Sequence, residues 1–195
     1  MGEAAAIPRL TLAEYVAREA ESDVRHEFVH GEVYAMAGGS PRHAAITMNV
    51  GGALIARLRG TACRPTSGDQ RLYIPRTGCM FYADVVVVCG DYLMADADPR
   101  ALTNPTLIIE VLSPSTADHD RGTKYEHYRT LPSLRDYVLI AQDAVAVEHR
   151  ERVYGNTWLV RHLTEGALEL KSLGIRLPLD EIYADLDRVP HVEGT

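Results

Sequence analysis

Lysine is almost missing from this sequence. Of 20 basic residues only Lys124 and Lys171 are lysines, and the rest are arginine. A chain that uses arginine wherever a generic cation will serve, yet keeps a lysine at 124, hints at chemistry that needs a primary ammonium there. Net positive charge is missing too. The formal balance is -7 and the isoelectric point lies near 5.6, which argues against tight, sequence-independent coating of nucleic acid, a mode driven by clustered Lys and Arg. Any nucleic-acid contact must use a local basic patch. The same deficit suits a metal enzyme, because carboxylates that hold a cation count as negative when the metal is left out of the tally.

No run approaches the roughly 18 apolar residues that suggest a membrane span. The N-terminus shows no basic segment followed by an apolar one, so a cytoplasmic protein without membrane association is expected. The three cysteines, Cys63, Cys79 and Cys89, form no C-x-x-C and match no zinc ribbon or finger, and are expected as reduced, partly buried thiols. Linker-like stretches, repeats and low-complexity tracts are absent as well. With 46% hydrophobic residues, 195 residues can bury one substantial core. A single domain over 1–195 is expected, with an N-terminal helix and hairpin in 10–37, a core in 40–150 and a tail in 154–195.

Several elements are signposted. Thr11 with Glu14 makes a capping box, predicting a helix from Thr11 to Glu21. Arg25 to Ala37 alternates through Phe28, Val33 and Tyr34 around His30-Gly31, predicting a hairpin that carries Glu27 on its first strand. Ser40-Pro41 opens a second helix to Arg59, with Ile46, Val50, Leu54, Ile55 and Leu58 on one face. Arg71 to Ile74, Tyr82 to Cys89 and Thr106 to Leu112 read as strands, the last two apolar enough to be buried on both faces. A helix over Ala117 to Thr130, capped by Ser115 or Thr116, precedes strands at Arg135 to Ile140 and Val145 to His149. Weaker pieces follow at Trp158 to Leu163, Leu168 to Leu173 and Leu179 to Tyr183. Interleaved strands and helices imply an α/β core with a mixed sheet.

Two acids stand where such strands should bury hydrocarbon. Asp84 heads Val85 to Val88, and Glu110 interrupts Leu107 to Leu112, sharing a face with Ile108 and Leu112. A carboxylate in low dielectric takes up a proton or finds a cation, and two that converge offer an oxygen site for Mg²⁺ or Mn²⁺. The alternative is that Glu110 meets a structural arginine and Asp84 starts its strand at the solvent edge. On the following helix, four-residue spacing stacks Asp120, Lys124 and Tyr128 on one side and turns Glu126 away. Alone, Asp120 and Lys124 would read as a surface ion pair worth a few tenths of a kcal/mol.

The stretches His26 to Met36 (HEFVHGEVYAM), Ser40 to His43 (SPRH), Tyr82 to Val88 (YADVVVV), Ile108 to Thr116 (IIEVLSPST) and Asp120 to Tyr128 (DRGTKYEHY) together resemble the Uma-type putative restriction endonucleases, from about Leu10 to Ile140. The resemblance implies a PD-(D/E)XK core, a mixed β-sheet flanked by helices. Asp84 and Glu110 would bind the metal, the Val111 carbonyl would assist, and Glu27 would lie near the site. Two positions depart from the superfamily motif. Ala83 replaces the proline of the P-D pair, and Leu112 stands where a lysine is expected two residues after the glutamate, leaving Lys124 to reach in from the helix.

The chemistry so implied is metal-assisted phosphodiester hydrolysis. The ion would polarise the phosphate and lower the water pKa, while Lys124 orients that water. Glu27 would complete a second metal site or hold water. His43 is a candidate for phosphate contact or for support of the metal ligands, though a lone histidine near a helix start is more often a surface residue. Arg42, Arg57, Arg59, Arg71 and Arg121 are candidates for the basic surface. The expected partner is nucleic acid, DNA in the first instance, and a homodimer is compatible with this class of enzyme. Two other readings remain. The fold could serve as an inactive module that binds nucleic acid or protein. His26-Glu27-Phe28-Val29-His30 formally spells the H-E-x-x-H zinc-peptidase motif, but on a strand His26 and His30 would lie about 13 Å apart, too far to share one zinc.

Overall fold

Thr11 caps the first helix reciprocally. In the computed structural model, which describes residues 9–36, 38–114 and 116–190, the Thr11 side chain accepts from the Glu14 N–H while the Glu14 carboxylate accepts from the Thr11 N–H at 2.7 Å. Helix α1 (Leu12–Ala20) then buries Tyr15 and Glu19. Strands β1 (His26–Val29) and β2 (Glu32–Ala35) form the expected hairpin. His30 and Gly31 have φ of 51° and 92°, the pair of left-handed residues that a tight hairpin turn demands. Ser40 caps α2 (Pro41–Leu58), accepting from the His43 N–H at 3.1 Å. Ile46, Val50, Leu54 and Leu58 are buried along it, but Ile55 is 54% exposed. It lies nine residues past Ile46, about two and a half turns, and so points away from the sheet.

Eight further strands lie between the two long helical regions and just beyond them: β3 (Cys63–Ser67), β4 (Arg71–Ile74), β5 (Cys79–Tyr82), β6 (Val85–Cys89), β7 (Met94–Ala95), β8 (Asp98–Leu102), β9 (Leu107–Leu112) and β10 (Asp136–Ala141). With β11 (Val147–Tyr154) and β12 (Thr157–Leu163) they complete two six-stranded mixed sheets, ordered β2-β1-β5-β4-β8-β7 and β12-β11-β10-β9-β6-β3. Strands β9 and β10 are parallel at the centre of the second sheet. The expected strand from Tyr82 to Cys89 is therefore two strands in two sheets. Ala83 and Asp84 make the step between them, so Asp84 emerges at a junction rather than inside a ladder.

Alternation sorts the central sheet. Val85, Val87, Leu107, Ile109 and Val111 pack beneath α2. Val86, Val88, Ile108 and Leu112 face the other way, against Tyr125, Tyr128 and Leu131. The sheet is covered on both sides, as its unbroken apolar strands require. Glu110 is the acid on the second of these faces.

The helix expected over Ala117 to Thr130 is segmented into α3 (Ala117–His119), a π-helical turn (Asp120–Lys124) and α4 (Tyr125–Tyr128). Thr116 makes no side-chain cap bond, and Ser115 lies outside the described residues. The tail holds a second hairpin, β13 (Ala167–Leu170) and β14 (Ile175–Pro178), and a short α5 (Leu179–Ile182). Leu168, Leu170, Leu177 and Ile182 join the apolar cluster under α2, so the tail is part of the core. Among the described residues no helix is long and apolar enough to cross a membrane.

The cysteines correct an expectation. Cys63 and Cys89 face one another across the β3–β6 ladder and are disulfide-bonded, leaving Cys79 as the free thiol. Their separation of 26 residues carries no hint of this, because only the antiparallel register brings them opposite. In denaturant without reductant, one thiol per chain should react with a thiol reagent instead of three. Reduction should lower stability by about 2–4 kcal/mol, read from urea melts with and without dithiothreitol.

Candidate active site

Lys124 sits at the centre of a ring of oxygens supplied by four separate elements. Its Nζ lies 2.9 Å from Glu27 Oε1 on β1, 3.2 Å from Asp120 Oδ1 in the π turn and 3.4 Å from Glu110 Oε1 on β9, and it donates to the Tyr82 carbonyl at 3.2 Å. Lys124, Glu27, Glu110 and Asp120 are all buried. Tyr128 also donates to Glu110 Oε1, at 3.4 Å. The side chains expected to stack, Asp120, Lys124 and Tyr128, do point inward together, and Glu126 is exposed.

Asp84 and Glu110 are locked side by side. The Val111 N–H donates to Asp84 Oδ2 at 2.6 Å, and the Asp84 N–H donates to Glu110 Oε2 at 3.4 Å. His43, in the first turn of α2, places Nε2 3.2 Å from Asp84 Oδ2 and also bonds to the Val111 backbone. Glu27 Oε2 is held by His119 Nε2 at 3.1 Å. Glu27, His43, Asp84, Glu110, Val111 and Lys124 are thus brought together.

Crowding these charges sets their protonation. Burial pushes the Glu110 carboxyl well above the usual carboxylate range, reinforced by Asp120, Asp84 and Glu27 and opposed by Lys124. Burial works against the Lys124 ammonium, yet Glu110, Glu27 and Asp120 outweigh it and hold its pKa well above normal. Burial would raise Glu27, but the His119 bond and the Lys124 charge prevail and keep it low. Burial would likewise lower His43. The hydrogen bond and charge of Asp84 prevail there, and its pKa is raised. A histidine with a raised folded-state pKa contributes stability that is fully present below its unfolded value near 6.5. That contribution is lost as pH rises through the folded value. In chelator, the stability gap between wild type and His43→Gln should therefore be widest at acid pH and shrink as pH rises past neutrality, as read from melts across that range.

The donor set suits a hard divalent cation. Three carboxylates surround one lysine with Asp84 beside Glu110, every acidic donor is oxygen, and Glu27 Oε1 and Asp120 Oδ1 are buried without a directed hydrogen bond despite their closeness to Lys124. The Asp84 and Glu110 carboxylates with the Val111 carbonyl are the groups that could hold Mg²⁺ or Mn²⁺.

Some of the other candidates fall away from this centre, while Arg42 and Arg121 stay beside it. Arg71 is buried, paired with Asp98 and bonded to the Tyr82 hydroxyl at 2.8 Å, so it is structural and not part of a basic surface. Arg57 is engaged by Glu181 at 2.7 Å. Arg42 bonds to the Gln142 carbonyl at 3.1 Å beside His43, and Arg121 lies in the π turn, 3.7 Å from Glu148. The H-E-x-x-H arrangement is not formed. His26 is on a strand with its Nδ1 2.9 Å from Glu19, while Glu27 faces Lys124.

His119 went unnoticed in the sequence. On an α-helical wheel it lies about 140° from Lys124, and only the wider π turn lets both residues reach Glu27.

A family model described as Uma2, "Putative restriction endonuclease", matches residues 12–180. The chain belongs to this family. The match extends past Ile140 through most of the tail, further than the motifs alone carried it. Two relatives from Synechocystis sp. (strain ATCC 27184 / PCC 6803 / Kazusa) are similar over most of their length. Uncharacterized protein sll1609 is 38% identical across 79% of this chain and 87% of its own. Uncharacterized protein slr1290 is 33% identical across 93% and 95%. The crystal structure of a putative nuclease belonging to DUF820 from Anabaena variabilis ATCC 29413 superposes with a TM-score of 0.74, covering 90% of this chain and 98% of that one at 15% identity. The Uma2 chain therefore has the expected α/β, restriction-endonuclease-like fold, with mixed sheets flanked by helices.

Proposed function

We propose that the protein is a divalent-metal-dependent endonuclease that hydrolyses phosphodiester bonds in nucleic acid, DNA in the first instance, through one domain spanning residues 1–195. The observation that carries this reading is the meeting of Lys124 Nζ with Glu110 Oε1 at 3.4 Å, next to an Asp84 held at 2.6 Å by the Val111 N–H. A buried acid of raised pKa, a cation and a second acid from separate elements are costly to assemble without a chemical use.

Asp84, Glu110 and the Val111 carbonyl would hold Mg²⁺ or Mn²⁺, which when bound supplies phosphate polarisation and a water of lowered pKa. Lys124 stays an ammonium at neutral pH, so its role is to donate a hydrogen bond to the attacking water and to offset charge on the phosphate, not to remove a proton. Glu27, kept ionised by His119 and Lys124, fixes the ammonium. His43 orients Asp84 from behind. Water adds to phosphorus and gives up a proton to solvent, while the bond to the leaving sugar oxygen breaks and that oxygen takes up a proton from solvent to leave as the alcohol. Arg42 and Arg121 are the candidates for backbone contacts beside the centre, and a homodimer would supply two such centres for two strands.

The test is cleavage of supercoiled plasmid, with an RNA of similar length in parallel, in Mg²⁺ or Mn²⁺ and in chelator. Metal-dependent nicking by wild type is the expected result. A second reading, an inactive binding module, is favoured by one feature: the acids already have protein partners, Asp84 in His43 and Glu27 in Lys124 and His119. It predicts binding of nucleic acid with no cleavage in either metal.

A further inference from the structure

His30 and Cys79 have no role in phosphodiester chemistry, yet they meet at a third residue, His127. His30 is the exposed tip of the β1–β2 hairpin, Cys79 opens β5 with its side chain fully buried, and His127 lies in α4. The ligand-capable nitrogen, sulfur and nitrogen atoms of the three residues all lie within 4.8 Å of one another, and the two imidazole rings are 5.4 Å apart. His127 is only 9% exposed, and its Nδ1 is buried with no hydrogen-bond partner. Leaving such a nitrogen unsatisfied costs free energy that a ligand on it would recover. The Cys79 thiol makes only a long contact to the Thr77 carbonyl, at 3.6 Å. The Phe81 ring, 5.3 Å from that of His127, walls the group on one side.

We propose that His30, Cys79 and His127 form a second metal site, selective for a thiophilic cation of the zinc class, that clasps the hairpin turn and α4 to β5. Two imidazoles and a thiolate are the donors that zinc prefers, whereas Mg²⁺ and Mn²⁺ prefer oxygen, so the two centres divide their metals by chemistry. On binding, Cys79 loses its proton to solvent and the thiolate bonds to the ion, while the neutral imidazoles give lone pairs. His127 is suited to this. Burial, with the neighbouring His30 and His119, holds its pKa below the ordinary histidine range and keeps it unprotonated at neutral pH. A tetrahedral zinc spaces such ligand atoms by roughly 3.3–3.8 Å, and His30, being exposed, can turn to close the remaining gap. The fourth position opens to water on the His30 side.

The clasp would join the elements that frame Lys124. Strand β1 carries Glu27, β5 ends at the Tyr82 carbonyl, and α4 continues directly from the Lys124 turn. Its experiment is independent of nuclease activity. With the Cys63–Cys89 disulfide intact, Cys79 is the sole thiol among the three cysteines. Titrating Co²⁺ into the oxidised protein should therefore raise a thiolate-to-cobalt charge-transfer band in the near ultraviolet, saturating at one equivalent and abolished by Zn²⁺. Cys79→Ser should lose the band, and Glu110→Gln should keep it. Because Cys79 and His127 are buried, the decisive variant is His30→Asn, which tolerates the left-handed turn conformation. It should weaken Co²⁺ binding about tenfold or more and lose the rise in Tm that Zn²⁺ gives wild type. Absence of the thiolate band in wild type at millimolar Co²⁺, or wild-type affinity in His30→Asn, would overturn the proposal.

Discussion

Lys124→Met should destabilise the metal-free protein by about 3–5 kcal/mol, because removing one partner of a buried ion cluster leaves the opposite charges unpaired in low dielectric. Glu27, Asp120 and Glu110 all lie within 3.4 Å of this one ammonium, and His119 relieves only Glu27. For a chain of this size that loss lowers Tm by roughly 6–20 °C. Methionine keeps the stem's volume, so the effect is one of charge rather than of a cavity. Adding Glu110→Gln to the same protein should return part of the loss, with a coupling of about 0.5–3 kcal/mol, since one of the stranded acids is then neutral. Urea melts of the four proteins of this cycle in chelator give the answer directly. A cost for Lys124→Met below about 1 kcal/mol, the scale of an exposed pair, would mean that the cluster is solvated and that its acids need no cation.

Glu110→Gln should act in opposite directions on activity and on stability. Metal-dependent cleavage should fall by roughly 10²–10³-fold or more, the scale for removing one preorganised electrostatic contact at a reacting centre. The metal-free protein should instead gain stability at neutral pH. The sign follows from the raised pKa of Glu110. A carboxyl whose folded-state pKa exceeds its unfolded value, near 4.3, favours folding while protonated, and that contribution is lost as pH rises through the folded pKa. As pH rises toward neutrality the wild-type chain gives up that contribution, whereas the glutamine side chain does not titrate. The stability gap between them should therefore widen from acid to neutral pH. A variant that lost activity and stability together would mark Glu110 as a structural ion-pair partner of Lys124 and Tyr128.

The sequence carried more of the site than of the sheet architecture. Asp84 and Glu110 were conspicuous because each broke an apolar strand, and Lys124 because the chain has so little lysine to place. Caps and turn residues marked α1, the hairpin and α2 for the same local reasons that form them. What escaped depended on long-range pairing. Met94–Ala95 is only two residues long, Asp98–Leu102 carries Asp98 and Arg100, and both become strands only by lying beside β4 and each other. Tyr82 to Cys89 reads as one strand because periodicity cannot reveal that the chain changes sheets at Ala83 and Asp84. The Cys63–Cys89 bond depends on the β3–β6 register, and His119 on a π turn that an α-helical wheel cannot show.

The central claim is that Asp84 and Glu110 bind a divalent cation. It is tested most directly by calorimetric titration of Mn²⁺, then Mg²⁺, into the metal-stripped protein and its Glu110→Gln variant, which requires no knowledge of substrate. Saturable binding by wild type, lost or weakened about tenfold or more in the variant, is the predicted result. Absence of binding by wild type in the millimolar range, or equal binding by the two proteins, would contradict it.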